Sequence, residues 1–255
     1  MSLLSLKALS ALGIIAVGLI GGSIPILARR LENSRRMFSL GNAFAGGIFV
    51  GAGLIHLLPD GTSKLETVTD YPLAGLLAAL GLALLLLIDR VLFSHDAVSE
   101  EMGSSHVGAY PYLLAVILSV HSIIAGTSLG LETHFSTTIV ILLAIVFHKG
   151  SASFALMVNL HNAGVGPGQQ KRILGIFVLM TPLGLLLGTM ASAALTGNTA
   201  ILIEGAFDAL AAGTFLYVAV LDIISEELSI EEDKMAKFLL IVFGIAFMAV
   251  LAIWT

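Results

Sequence analysis

Apolar residues in this chain neither alternate nor recur at every third or fourth position; they fill long runs separated by short clusters of charge. Runs of about twenty apolar residues match the hydrocarbon thickness of a bilayer when wound as a helix. Eight of them predict membrane helices near residues 6–28, 37–58, 72–93, 109–131, 135–160, 171–193, 199–224 and 235–254. The first is too long for a signal peptide and ends in Arg29 and Arg30 rather than in small residues, so it reads as a retained span. Every connection is short, the longest lying near 94–108, and residues 1–255 are expected to form a single transmembrane domain.

Basic residues orient the spans. Arg29, Arg30, Arg35, Arg36, Arg90, Lys171, Arg172, Lys234 and Lys237 follow odd-numbered spans, whereas only Lys7 and Lys64 fall on the other side. The positive-inside rule then makes the odd-numbered connections cytoplasmic and both termini extracytoplasmic. Glycines four apart, at Gly18 and Gly22, Gly47 and Gly51, Gly126 and Gly130, and Gly184 and Gly188, predict close helix approach. Pro182 interrupts the sixth span and predicts a kink there.

Composition sharpens this picture. With 57% hydrophobic and 11% charged residues, a soluble domain is excluded, and the surrounding lipid is the chain's main partner. The absence of cysteine removes disulfides, thiolate metal sites and thiol catalysis. A net charge of −5 spread over short loops carries little information, and no nucleic-acid partner is expected. The connection SHDAVSEEMGSSH holds His95, His106, Asp96, Glu100 and Glu101; a solvated linker is the plainer reading, against weak sampling of divalent metal.

Two histidines stand out. His121 in VHSIIAG and His148 in FHKG occupy consecutive spans joined by a turn near Thr133. At about 1.5 Å per residue they sit roughly 18 and 22 Å from that turn, at nearly one depth in antiparallel neighbours. Imidazoles at one level in a membrane, beside Lys149, are costly to bury and mark a functional site.

An internal repeat surrounds them. With an offset of 222 − 56 = 166 residues, AFAGGIFVGAGLIHLLPD matches ALAAGTFLYVAVLDIISE. Ala43, Ala45, Gly47 and Phe49 coincide with Ala209, Ala211, Gly213 and Phe215, while His56 falls on Asp222 and Asp60 on Glu226. The two spans run in opposite directions, so the expected fold is an all-α bundle of eight helices in a 3+2+3 inverted-repeat arrangement, as in transporters. By depth, His56 and Asp60 lie at the outer end of the path, Asp208 partway down, His121 and His148 near the middle with Ser122 close by, then Asp222 and Glu226, then His161. His56 with Asp60, and Asp222 with Glu226, are four apart on one helix face, a donor spacing suited to capturing a divalent ion at each mouth.

FAGGIFVGAGLIHLLPD, VHSIIAG, FHKG, TPLG and ALAAGTFLYVAVLDI, in this order, resemble the ZIP (Zrt/Irt-like) divalent metal transporter family across nearly the whole chain. The resemblance implies import of zinc, and often iron, manganese or cadmium, into the cytoplasm. It also implies frequent dimers, a path lined by the second, fourth, fifth and seventh spans, and an elevator-like movement of the bundle that carries the metal. A prokaryotic inner membrane or a eukaryotic plasma membrane suits such a chain, and no prosthetic group is implied. In the nearest branch the fourth-span pattern is His-Ser-x-x-Glu-Gly; here Ala125 stands where the carboxylate is expected. Lys149 falls where two-metal members carry a ligand, so the resemblance implies a tethered ammonium in place of a second ion. Asp208 is the candidate replacement ligand, or else a counter-ion for Lys149. Two other functions remain open: an intramembrane zinc hydrolase built on His121, His148, Ser122 and Asp208, and a transport-incompetent relative that senses metal.

Overall fold

The computed structural model describes residues 2–29, 32–92, 110–192 and 197–253. The loop near 94–108, with His95 and His106, lies outside the described residues, as does Arg30. The rest is helical: α1 Leu3–Ala28, α2 Ser34–Glu66, α3 Leu73–Val91, α4 Tyr110–Leu131, α5 Phe135–Asn162, α6 Pro167–Ala191, α7 Asn198–Ser229 and α8 Lys234–Leu251. All eight are long and apolar enough to cross a bilayer, and those with apolar side chains all round place many of them outward, where lipid would cover them. The Ser2 hydroxyl starts α1 by accepting a hydrogen bond from the Ser5 backbone N–H at 3.1 Å.

The second and seventh helices run past their expected ends, to Glu66 and Ser229. In α2 the reason is local. Pro59 removes a backbone donor and would normally break a helix, but Ala52–Leu57 winds as a π turn just before it, and the wider coil lets α-helix resume at Leu58. Two further π turns follow, Leu87–Leu92 at the end of α3 and Tyr217–Ile224 within α7.

Packing gathers the helices into two groups, which meet chiefly where α2 lies against α5 and α4 against α7. α1 lies along α5 and α6, and α4 along α6 and α5; α2 lies along α8 and α7, and α3 along α7. Glycine permits the closest of these approaches. A Cβ on Gly184 would lie 2.0 Å from the Ile123 carbonyl oxygen, and one on Gly126 would lie 2.1 Å from that of Thr181, so the two glycine faces of α4 and α6 meet each other. Gly47 stands against the Ile241 carbonyl of α8 and Gly213 against the Ala78 carbonyl of α3, where a Cβ would lie at 2.2 and 1.9 Å. Between α2 and α7, Phe49 and Phe215 stack with ring centroids 5.0 Å apart.

Candidate metal site

His121 on α4 and His148 on α5 do meet: their ring centroids are 5.6 Å apart, and both side chains are buried. Two imidazoles ligating one tetrahedral zinc, at about 2 Å per nitrogen, have centroids roughly 5 Å apart, so the spacing fits a shared ion. Neither ring nitrogen of His121 has a hydrogen-bond partner among the described residues. Nδ1 of His148 makes no bond of ordinary geometry either, although the Ala144 carbonyl one turn earlier lies close by. Buried polar groups left unpaired cost about 1–3 kcal/mol each, an expense that a ligand would remove. Phe215 of α7 covers both rings, with centroids 4.1 Å from His121 and 6.0 Å from His148.

The Lys149 ammonium is buried but satisfied. It donates to the Ser122 hydroxyl oxygen at 2.9 Å and to the Phe177 carbonyl at 3.1 Å, and it lies 3.6 Å from the centroid of the Phe177 ring. The Phe177 carbonyl immediately precedes the one that Pro182 deprives of a helical donor. This corrects one expectation, because Asp208 is not the counter-ion of Lys149. Its carboxylate instead receives Lys64 Nζ at 2.6 Å, with Glu204 3.7 Å from the same nitrogen.

Those groups line a cavity of about 380 Å³ on the side of the α2–α3, α4–α5 and α6–α7 connections, hereafter the even side. His56, Asp60 and Glu132 share its walls, while Ala125 and His148 also border it and His121 does not. His56 Nδ1 and Asp60 Oδ2 are 3.4 Å apart, so this four-residue pair forms despite the π turn. Opposite, on the side of the α1–α2, α5–α6 and α7–α8 connections, a cavity of about 490 Å³ is lined by His161, Glu226 and Glu227 among others. Asp222, half-buried, does not border it. Glu227 is buried, holds Lys237 at 3.4 Å, and accepts hydrogen bonds from Ser39 and Asn42 of α2. Nearby, Tyr217 donates to Asp89 at 2.6 Å, joining α7 to α3.

The structure thus unites His121 with His148 and places His56, Asp60 and Asp208 around one cavity. It does not assemble them into one ligand set: among the described residues no three His, Asp or Glu side chains are close enough to hold one ion. Sequence reasoning missed Phe215, Lys64 and Glu204 as site residues. Phe215 was visible only as the repeat partner of Phe49, and Lys64 only as a basic residue on the side where few occur.

Eight apolar helices around an acidic cavity with imidazole at its floor have the makeup of a membrane cation transporter. The family model described as ZIP zinc transporter matches residues 4–108 and 93–252, and the chain belongs to that family. It is similar to zinc transporter ZIP2 of Mus musculus, 28% identical over 266 residues that cover 86% of each chain. It is also similar to zinc transporter ZIP1 of Takifugu rubripes, 27% identical over 298 residues and 98% of each chain. A shorter match to protein zntD of Dictyostelium discoideum is 37% identical over 148 residues, 56% of this chain and 21% of that protein. The family is one of transporters and not of enzymes, which sets the hydrolase reading aside.

Proposed function

We propose that the chain imports a divalent cation, zinc first and iron(II), manganese or cadmium as alternatives, by passing it from the even-side cavity to His121 and His148 and on to the opposite side, that of the α1–α2, α5–α6 and α7–α8 connections. The observation that carries this reading is the pair of buried imidazoles 5.6 Å apart, His148 bordering an acidic cavity and His121 behind it with both ring nitrogens unpartnered among the described residues. Four carboxylates, Asp60, Glu132, Glu204 and Asp208, concentrate cations there, and neutral imidazole is a preferred zinc donor. Asp208 then serves capture in the vestibule before any ligation at the histidines. On the far side His161 and Glu226 receive the ion, after Asp222 one helical turn before Glu226 on α7.

Charge distribution makes the even side extracytoplasmic, with both termini on it. The packing supports an inverted repeat. Exchanging α1 with α6, α2 with α7, α3 with α8 and α4 with α5 maps the α1–α5 contact onto α6–α4 and the α2–α8 contact onto α7–α3. Gly47 and Gly213, and Phe49 and Phe215, correspond at the same offset of 166, and at that offset the π turn of α2 falls within that of α7. The two packing groups supply the two bodies of an elevator. α1, α4, α5 and α6 carry both histidines, and α2, α3, α7 and α8 form the frame along which they slide. A homodimer in a prokaryotic inner or eukaryotic plasma membrane completes the proposal.

Saturable uptake of radioactive zinc into proteoliposomes tests it, with iron(II), manganese and cadmium as competitors. His121→Ala or His148→Ala should reduce uptake at least roughly 100-fold, the loss attending removal of one of two zinc donors. Among the described residues no third donor clusters with the two imidazoles, and this favours a second reading, a relative that binds metal without carrying it. Zinc binding without flux in the unmodified protein would establish that reading and overturn import.

A further inference from the structure

Lysine is an unexpected residue in the mouth of a cation path. Lys64 is one of only two basic residues on the side that the positive-inside rule leaves poor in them. The other, Lys7, is spoken for: its ammonium donates to the Gly130 carbonyl at 2.5 Å and so caps the end of α4. Lys64 has no such helix-end role. It projects from the last turn of α2 into the even-side cavity, 2.6 Å from Asp208 and 3.7 Å from Glu204 of α7. Among the described residues lining that cavity it is the one ammonium or guanidinium facing four carboxylates.

Its placement is competitive. Asp208 is the most buried of those carboxylates, with a side chain 9% exposed, and it is the one that Lys64 covers. Asp60, 44% exposed and paired with His56, stays open to solvent. A divalent ion attracted to the cavity meets the exposed carboxylates first and can reach Asp208 only by exchanging with the ammonium. A lysine side chain suits that exchange, being a compact charge on a flexible four-carbon stem.

We propose that Lys64 is a tethered competitor of the substrate: its ammonium occupies Asp208 and Glu204 against the incoming divalent cation, and thereby sets the affinity at which the cavity captures metal. The proposal rests on the import reading above. Weak capture has a use there, since an ion trapped by four unopposed carboxylates would have little reason to move on to His148. Lys64 acts through the carboxylates and is therefore a positioning residue.

The test is zinc uptake by Lys64→Met and Lys64→Arg proteins beside the unmodified one, with equilibrium dialysis of zinc on the same purified proteins. Removing one pair of this exposure should lower the half-saturating zinc concentration by roughly 3- to 10-fold and lower the maximal rate. The Arg variant keeps a cation on the carboxylates and should not lower the half-saturating concentration. A merely structural role would lower the maximal rate without tightening half-saturation. Unchanged or weaker zinc binding by Lys64→Met, or equal tightening by Lys64→Arg, overturns the proposal. Tighter binding by Lys64→Met with no flux in any protein would instead support the tethered ammonium and overturn import, so the two failures are distinguishable.

Discussion

Ala125 borders the even-side cavity one helical turn beyond His121, at the position where the family resemblance expects a carboxylate. Residues four apart share a helix face, so a glutamate there would reach toward the ion held by the two imidazoles. Ala125→Glu is expected to convert a two-donor site into a three-donor one, tightening zinc binding by at least roughly tenfold and slowing its release. Equilibrium dialysis reads the first effect and turnover in proteoliposomes the second; unaltered binding would mean that the position does not face the ion. The histidines themselves were legible in the sequence, because buried imidazole in an apolar run has few bland explanations. The partner of Asp208 was not. Lys64 and Asp208 are 144 positions apart on different helices, and no local spacing links them.

Helices as units were the easiest objects to read. Lipid cannot hydrogen-bond backbone groups, so each crossing must be a continuous apolar helix, and that requirement is written directly into the run lengths. The ends were less legible, since Pro59 signals a break and only the π turn at Ala52–Leu57 shows how α2 continues through it. Four-residue glycine spacing announced close approach without naming the neighbour; the structure supplies it, with Gly126 and Gly130 of α4 against Gly184 and Gly188 of α6. Gly184→Ala should therefore destabilise the α4–α6 contact by about 1–3 kcal/mol, the usual cost of overpacking. It should do so more than Gly175→Ala on the same helix, where a Cβ would meet nothing within 4 Å. Thermal unfolding in detergent compares the two, and equal melting points would refute the close contact.

Across the whole molecule, the two packing groups predict which helices move together. Phe44 of α2 and Phe243 of α8 lie within one group, with ring centroids 5.8 Å apart, whereas Phe147 of α5 and Phe247 of α8 face each other across the divide at 5.1 Å. The chain has no cysteine, so paired replacements can be bridged by a short thiol-reactive linker without side reactions. Bridging positions 147 and 247 should stop zinc uptake until the linker is reduced away, while bridging 44 and 243 should leave it running. Uptake that survives the first bridge would rule out sliding between the groups. The π turns of α2 and α7 bear on a different matter, the register of the two halves. A π turn holds more residues than an α turn, so an insertion made in one half alone would shift the register beyond it. The offset is 166 at Gly47 and Gly213, before the turns, and still 166 at Asp60 and Glu226, after them. If the halves arose by duplication, neither has gained or lost a residue across this stretch that the other has not, so the wide turn costs the repeat no register.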